Sequence, residues 1–262
     1  MPRNPSLSTP WAWGPPLIAL LLIVVIHITD GNRSLFLVLN HLGHILGDDC
    51  WANLTILGDG AVATALILPF IRRYPRRFWA ALFAAVITAL WVQALKNWIN
   101  VPRPLAVFSP DQFFHSGPAF RAVSFPSGHA ASIAALTGIW IVSLPGKLLL
   151  RLVLLALAIV VSLSRIMTGV HWPIDVLGGV AGGWLAACIG LWLSDRCGWK
   201  TSGIAGFSAG LVLIGVAASL LVSHHMGYPS AMLLQRLLAV VCLVWGGREM
   251  YLMLPRRRSA QT

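Results

Sequence analysis

Residues 126–166, PSGHAASIAALTGIWIVSLPGKLLLRLVLLALAIVVSLSRI, decide the architecture. Two apolar runs flank one short break, Leu144-Pro145-Gly146-Lys147, and each approaches the roughly 20 residues a helix needs to cross a bilayer. Hydrocarbon offers no partner to a backbone N–H or C=O, so a run of this kind is expected to be helical. Its strongly polar residues gather near the ends: Ser127 and His129 open the first run, Lys147 and Arg151 mark the turn, and Ser164 and Arg165 close the second. From His129 to Ser164 is about two spans of ~18 residues. The pair is therefore a hairpin that returns the chain to the face it left.

The same pattern extends to both sides. Of the 262 residues, 57% are hydrophobic and only 10% charged, whereas about a quarter of the residues in a soluble domain are charged. Eight candidate spans are expected, at residues 11–29, 51–71, 78–99, 127–145, 148–166, 174–194, 203–223 and 231–253. The first is expected to be a retained span, not a signal peptide, because no small-residue cleavage site follows it. Residues 34–46 form a shorter amphipathic stretch, expected to lie along the interface. The net charge of +11 is spread in short runs between apolar segments, which points to membrane topology and away from nucleic acid. With the N-terminus inside, Arg72, Arg73, Arg76, Arg77, Lys147, Arg151, Arg196, Lys200 and Arg256, Arg257, Arg258 all fall on the cytoplasmic side. The four cysteines, Cys50, Cys188, Cys197 and Cys242, are scattered and mark neither a zinc site nor a disulfide framework.

The opposite face keeps cations that this rule does not predict. Lys96 and Arg103 mark the exit of the third span, and Arg165 ends the fifth. The hairpin brings His129 to that face, with His171 and Asp175 just beyond Arg165. Three cations suit a phosphate: arginine binds its oxygens with a planar fork, and lysine adds a point charge. Ser127 and Gly128 begin a helix, whose first N–H groups and positive dipole end favour the same ligand, and Gly128 permits close approach to the backbone. His171 precedes Asp175 by one helical turn, so the carboxylate can hold one ring nitrogen while the other attacks phosphorus. His129 is then the acid for the leaving oxygen and later the base for water. His171 is expected at the surface end of a helix, outside the packed core. No metal is required.

Lys96-x6-Arg103-Pro104, Pro126-Ser127-Gly128-His129 and Ser164-Arg165-x5-His171-x3-Asp175 together resemble the three-part signature of the type 2 phosphatidic acid phosphatase (PAP2) superfamily. The resemblance spans residues 96–175 and implies a six-helix core and metal-independent dephosphorylation through phosphohistidine. It further implies that Lys96, Arg103 and Arg165 lie on phosphate oxygens, that Ser127 and Gly128 donate hydrogen bonds, and that His129 is acid, His171 nucleophile and Asp175 its partner. The expected architecture is an all-α polytopic membrane bundle forming a single domain. It comprises a six-span PAP2-like core over 11–194 and, over 195–262, two further spans with a basic tail.

The substrate expected in a bilayer is a lipid phosphomonoester or pyrophosphate: undecaprenyl pyrophosphate, phosphatidylglycerol phosphate, phosphatidic acid or a lipid A phosphate. The expected setting is a bacterial inner membrane with both termini cytoplasmic and the site outside. One rival is a phosphotransferase that passes the phosphate to a second lipid. Another is a transporter or channel, against which the ionisable residues cluster at one face. Vanadate haloperoxidases share the pattern, but they are soluble. Helix capping by Asp175 and snorkelling of Lys96 and Arg165 are the structural alternatives for those residues. Arg121 and His115, in the loop before Pro126, are candidate substrate contacts. His41, His44, Asp48 and Asp49 fit a metal site or a polar interfacial face, and His224 and His225 a solvated loop.

Overall fold

A computed structural model describes residues 7–222 and 227–254. His224, His225 and Arg256 to Arg258 lie outside the described residues. Helices account for nearly all the regular structure: α1 (Pro10–Ile28), α2 (Asn32–His41), α3 (Gly43–Ile56), α4 (Gly60–Ala65), α5 (Pro75–Trp98), α6 (Pro104–Val107), α7 (Gly128–Ser143), α8 (Leu148–Met167), α9 (Pro173–Cys197), α10 (Ile204–Val222) and α11 (Met232–Tyr251). Six of the described helical segments are long and apolar enough to cross a membrane. Leu17, Ile18, Leu21, Leu149 and Val153 are exposed on α1 and α8, an apolar exterior suited to lipid as the solvent.

Two of the eight expected spans differ from simple crossings. The 51–71 segment is broken: α3 and the α4 helix with its following turn, through Phe70, meet at a bend of 46°. The break falls at Leu57-Gly58-Asp59, where the Asp59 carboxylate accepts hydrogen bonds from Ala61 and Val62 N–H and caps α4. The segment expected at 127–145 is α7, a helix of only 16 residues, about 24 Å long against a hydrocarbon core of roughly 30 Å. It needs less apolar exterior because other helices surround it and most of its residues are buried.

The core lies where α5, α7 and α9 pack together, with α1 against α9. Glycine makes the α7–α9 approach possible: a Cβ on Gly183 would run into the Ala131 backbone, and one on Gly179 into the Ser127 carbonyl. The α10–α11 pair packs against α4 and Leu68, with Gly246 giving Leu68 its space. The amphipathic stretch forms α2 and the first part of α3, separated from the remainder of α3 by a kink at Gly47 (φ 74°). Buried Asn40 fixes α2 to the protein, donating to the carbonyls of Phe114 and Ile166 at 2.8 and 2.9 Å. At the opposite end of the bundle, Arg72 pairs with Glu249, Arg76 with Asp195, and Arg77 with Ser143.

Candidate active site

The site end is assembled from the tips of α5, α7 and α8 and from the connection leading into α9. Pro173 at the first position of α9 and Asp175 at the third set the start of that helix, and Asp175 Oδ2 accepts the Trp172 N–H at 2.9 Å. The same oxygen lies 3.4 Å from His171 Nδ1. Asp175 is thus both a helix cap and the partner of His171. Ser124 Oγ, buried beside them, donates to Asp175 Oδ2 at 2.5 Å.

On the other side of the imidazole, Arg103 Nη1 lies 3.5 Å from His171 Nε2. A guanidinium can only donate, so Nε2 presents its lone pair and Nδ1 carries the hydrogen facing Asp175. Both contacts are long for hydrogen bonds and act mainly as orienting electrostatics. His171 is only 2% exposed, which corrects its expected place at a helix's surface end. The 99–127 connection and the start of α9 enclose it, through Trp172 Nε1 on the Pro102 carbonyl at 2.8 Å and Ser124 N–H on the Val101 carbonyl at 2.8 Å. Burial, followed by the nearby charges of Arg103, Arg165 and Lys96, pushes the His171 imidazole well below its ordinary pKa.

Arg103 is braced by backbone. Its Nε donates to the Ala122 carbonyl at 3.0 Å, Nη1 to Val170 at 3.1 Å and Nη2 to Val123 at 3.3 Å. Burial and then Arg165 bring it down to about 10, so it stays cationic at neutral pH. Arg165 is 3% exposed and points inward, which removes snorkelling as the account of this residue. Its Nη1 donates to Thr55 Oγ1 at 2.6 Å and to Tyr228 Oη at 3.2 Å.

One cavity of about 740 Å³ gathers Lys96, Arg103, Gly128, His129, Arg165 and His171 along its wall. Ser127 is fully buried behind it: its N–H is committed to the Asp175 carbonyl at 3.0 Å, and its hydroxyl caps α7 through the Ala130 N–H. Gly128 and His129 therefore present the start of α7 to the cavity. Arg121 and His115 are not on that wall. The first is exposed and donates to the Leu105 carbonyl at 2.8 Å; the second packs edge-on against Phe113. His41 and His44 meet edge to face, and among the described residues no three His, Cys, Asp or Glu side chains group as metal ligands.

The cavity does not stop at the charged groups. It follows one face of α5 from Lys96 down to Ala81, about 22 Å along the helix. Ala85, Ala89, Ile67, Leu136 and Val216 line this extension. Sequence reasoning missed Thr55, Asp59, Ser124 and Tyr228. Only Asp59 carried a signal, a carboxylate inside an apolar run. Its segment lies against α7: a Cβ on Gly58 would stand 2.9 Å from the His129 carbonyl oxygen, and Asp59 itself lines the cavity.

Comparison with known proteins places this geometry. A lipid A 1-phosphatase of Rhizobium johnstonii is 28% identical over 60% of this chain and 69% of its own length. An undecaprenyl-diphosphatase of Sulfolobus acidocaldarius is 30% identical over 50% of this chain and 58% of its own. Among solved structures, LpxE of Aquifex aeolicus is 27% identical, with a TM-score of 0.55 over 62% of this chain and 94% of that one. A transmembrane PAP2 type phosphatidylglycerolphosphate phosphatase of Bacillus subtilis, 24% identical, shares the fold with a TM-score of 0.54 over 72% of this chain and 98% of its own. The sequence profile of the PAP2 superfamily matches residues 61–199, more than half of the chain and all of the cavity's cations and histidines, and the chain belongs to that superfamily.

Proposed function

We propose that this membrane phosphatase hydrolyses a phosphate or diphosphate from a lipid at the end of its head group, with His171 as the nucleophile. The observation that carries this assignment is the two-part cavity. At one end Lys96, Arg103, Arg165 and His171 share the wall, with Arg103 Nη1 3.5 Å from His171 Nε2; from there an alanine-lined extension descends about 22 Å between α4, α5 and α7. The charged end suits a phosphate, and the extension suits an apolar chain that enters from the bilayer. A water-soluble phosphate ester has no use for the extension.

In this mechanism the Nε2 lone pair forms a bond to phosphorus as the bond from phosphorus to the lipid oxygen breaks. His129 gives its proton to that oxygen. The cations stabilise charge on the equatorial oxygens, and Asp175 steadies His171 as it becomes cationic. Water then attacks the phosphohistidine, His129 takes the water's proton, and breakage of the N–P bond frees inorganic phosphate and restores the imidazole. Each step uses side chains of this chain alone, and no metal enters it.

The names of two relatives supply the first substrates to test, a lipid A 1-phosphate and undecaprenyl diphosphate. Purified protein in detergent is expected to release inorganic phosphate from at least one member of a panel that adds phosphatidic acid and phosphatidylglycerol phosphate. Release should persist in EDTA and be lost in His171→Ala. Phosphate that appears only on a second lipid would make the protein a transferase. Full activity of His171→Ala would remove the nucleophile assignment.

A further inference from the structure

We infer that the C-terminal helix pair completes the catalytic site: Tyr228 positions Arg165 so that the Nε–Nη2 edge of its guanidinium meets the phosphate oxygens. The inference rests on the phosphatase reading above and concerns how the chain holds one of its cations.

Arg165 is held at one end only. Both of its bonds, to Thr55 Oγ1 at 2.6 Å and Tyr228 Oη at 3.2 Å, leave from Nη1. They use both hydrogens of that nitrogen. Its Nε is buried without a hydrogen-bond partner, and among the described residues Nη2 makes no bond and the side chain no ion pair. An idle buried donor is costly to keep. Here the idle edge belongs to a cavity-lining arginine that is 3% exposed. The Nε–Nη2 edge of a guanidinium is one of the two forks that grip an oxyanion bidentately. Bracing Nη1 fixes the direction of that fork before any ligand arrives.

Tyr228 is itself built into the structure. It is 3% exposed and packs in a cluster with Ala52, Ile56, Ala217 and Ala231, contributed by α3, α10 and the turn before α11. Gly117, at φ 89°, leaves the space its ring fills. The ring also stands 5.9 Å from the Arg165 guanidinium carbon, within cation–π range. Neither bracing residue lies in the segment that the superfamily profile matches, which begins at residue 61 and ends at 199. This chain thus supplies the brace from outside the shared core, and the α10–α11 pair acquires a role at the site.

Tyr228→Phe keeps the ring and removes only the hydroxyl. In the full-length chain, its thermal midpoint should fall by no more than a few degrees, the cost of one lost acceptor on Nη1, with the fold intact. Its kcat/KM on dioctanoyl phosphatidic acid should fall about tenfold, and the dissociation constant of orthovanadate, read by calorimetry without turnover, should rise by a similar factor. In an Arg165→Lys background, where no guanidinium remains to be braced, adding Tyr228→Phe should change neither value further. Wild-type kcat/KM and vanadate affinity in Tyr228→Phe would overturn the inference, as would an equal loss in the Arg165→Lys background. If wild-type protein hydrolyses no lipid phosphate but Tyr228→Phe still weakens vanadate, the hydrolase reading falls and the brace stands.

Discussion

His171 sits where an imidazole sheds its proton easily. Burial, and then Arg103, Arg165, Lys96 and His129, lower its affinity for a proton well below the ordinary value of 6.5. In the proposed mechanism the neutral imidazole attacks, so the acid limb of kcat/KM should lie below the range of a free imidazole. Stability follows the same sign. Between the lowered folded value and about 6.5 the unfolded chain binds more protons than the folded one, so stability falls as pH drops through that window and is flat above it with respect to this group. His115, lowered by burial, adds to the same trend. Thermal midpoints in detergent across about pH 4–8 check this, and His171→Gln should reduce the slope. Ser124 gives a second test at this scale. Its hydroxyl bonds the carboxylate that orients His171, and a hydrogen bond to a charged group contributes about 1.5–3 kcal/mol. Ser124→Ala should lower kcat by at least about tenfold with KM little changed. An unchanged kcat would show that Trp172 N–H and the helix start suffice to hold Asp175.

Glycines separate what the helices need from what the site needs. In α9, Gly183 is closed by the Ala131 backbone; at the start of α7, a Cβ on Gly128 would meet only Val92 Cγ1, at 3.8 Å. Gly183→Ala is therefore expected to push α7 away from α9, lower the thermal midpoint by several degrees and reduce turnover through displacement of His129. Gly128→Ala should keep the wild-type midpoint yet raise KM, because the added methyl projects into the cavity. Equal midpoints for the two variants would mean that the α7–α9 contact yields without cost. These elements also mark the limit of what sequence conveys. Hydropathy runs gave the long helices to within a few residues, because a bilayer leaves no other structure for them. The Lys96, Arg103, His129, Arg165, His171 and Asp175 grouping followed from counting two helices between His129 and Ser164. The break at Asp59 escaped because a short polar interruption scarcely changes a 20-residue average. Tyr228 and Thr55 escaped because their contact with Arg165 bridges 63 and 110 positions, which no local pattern records. Arg121 was misleading for the converse reason: it adjoins Ala122, on the cavity wall, while its own side chain turns to the Leu105 carbonyl.

At the scale of the molecule, the two ends of the bundle use their cations differently. At the site end Arg103 and Arg165 are buried and point inward. At the other, Arg72 and Arg76 pair with Glu249 and Asp195, Arg77 reaches Ser143, and Arg151 donates to the Ile141 carbonyl. The proposed phosphate ligand would account for the site's cations, which leaves the opposite end as the one whose positive charge should hold it in the cytoplasm. Two positions report on this directly. Cys197 is exposed beside Arg196 at the end of α9; Ser109 is exposed in the connection that covers the site. In spheroplasts producing a Cys50→Ser variant, a membrane-impermeant maleimide should leave Cys197 unlabelled until the membrane is opened. Adding Ser109→Cys to a chain that lacks both Cys50 and Cys197 should give labelling without permeabilisation. The reverse pattern would put His171 and its cavity on the cytoplasmic face, and the lipids that reach the site would then be those of the inner leaflet.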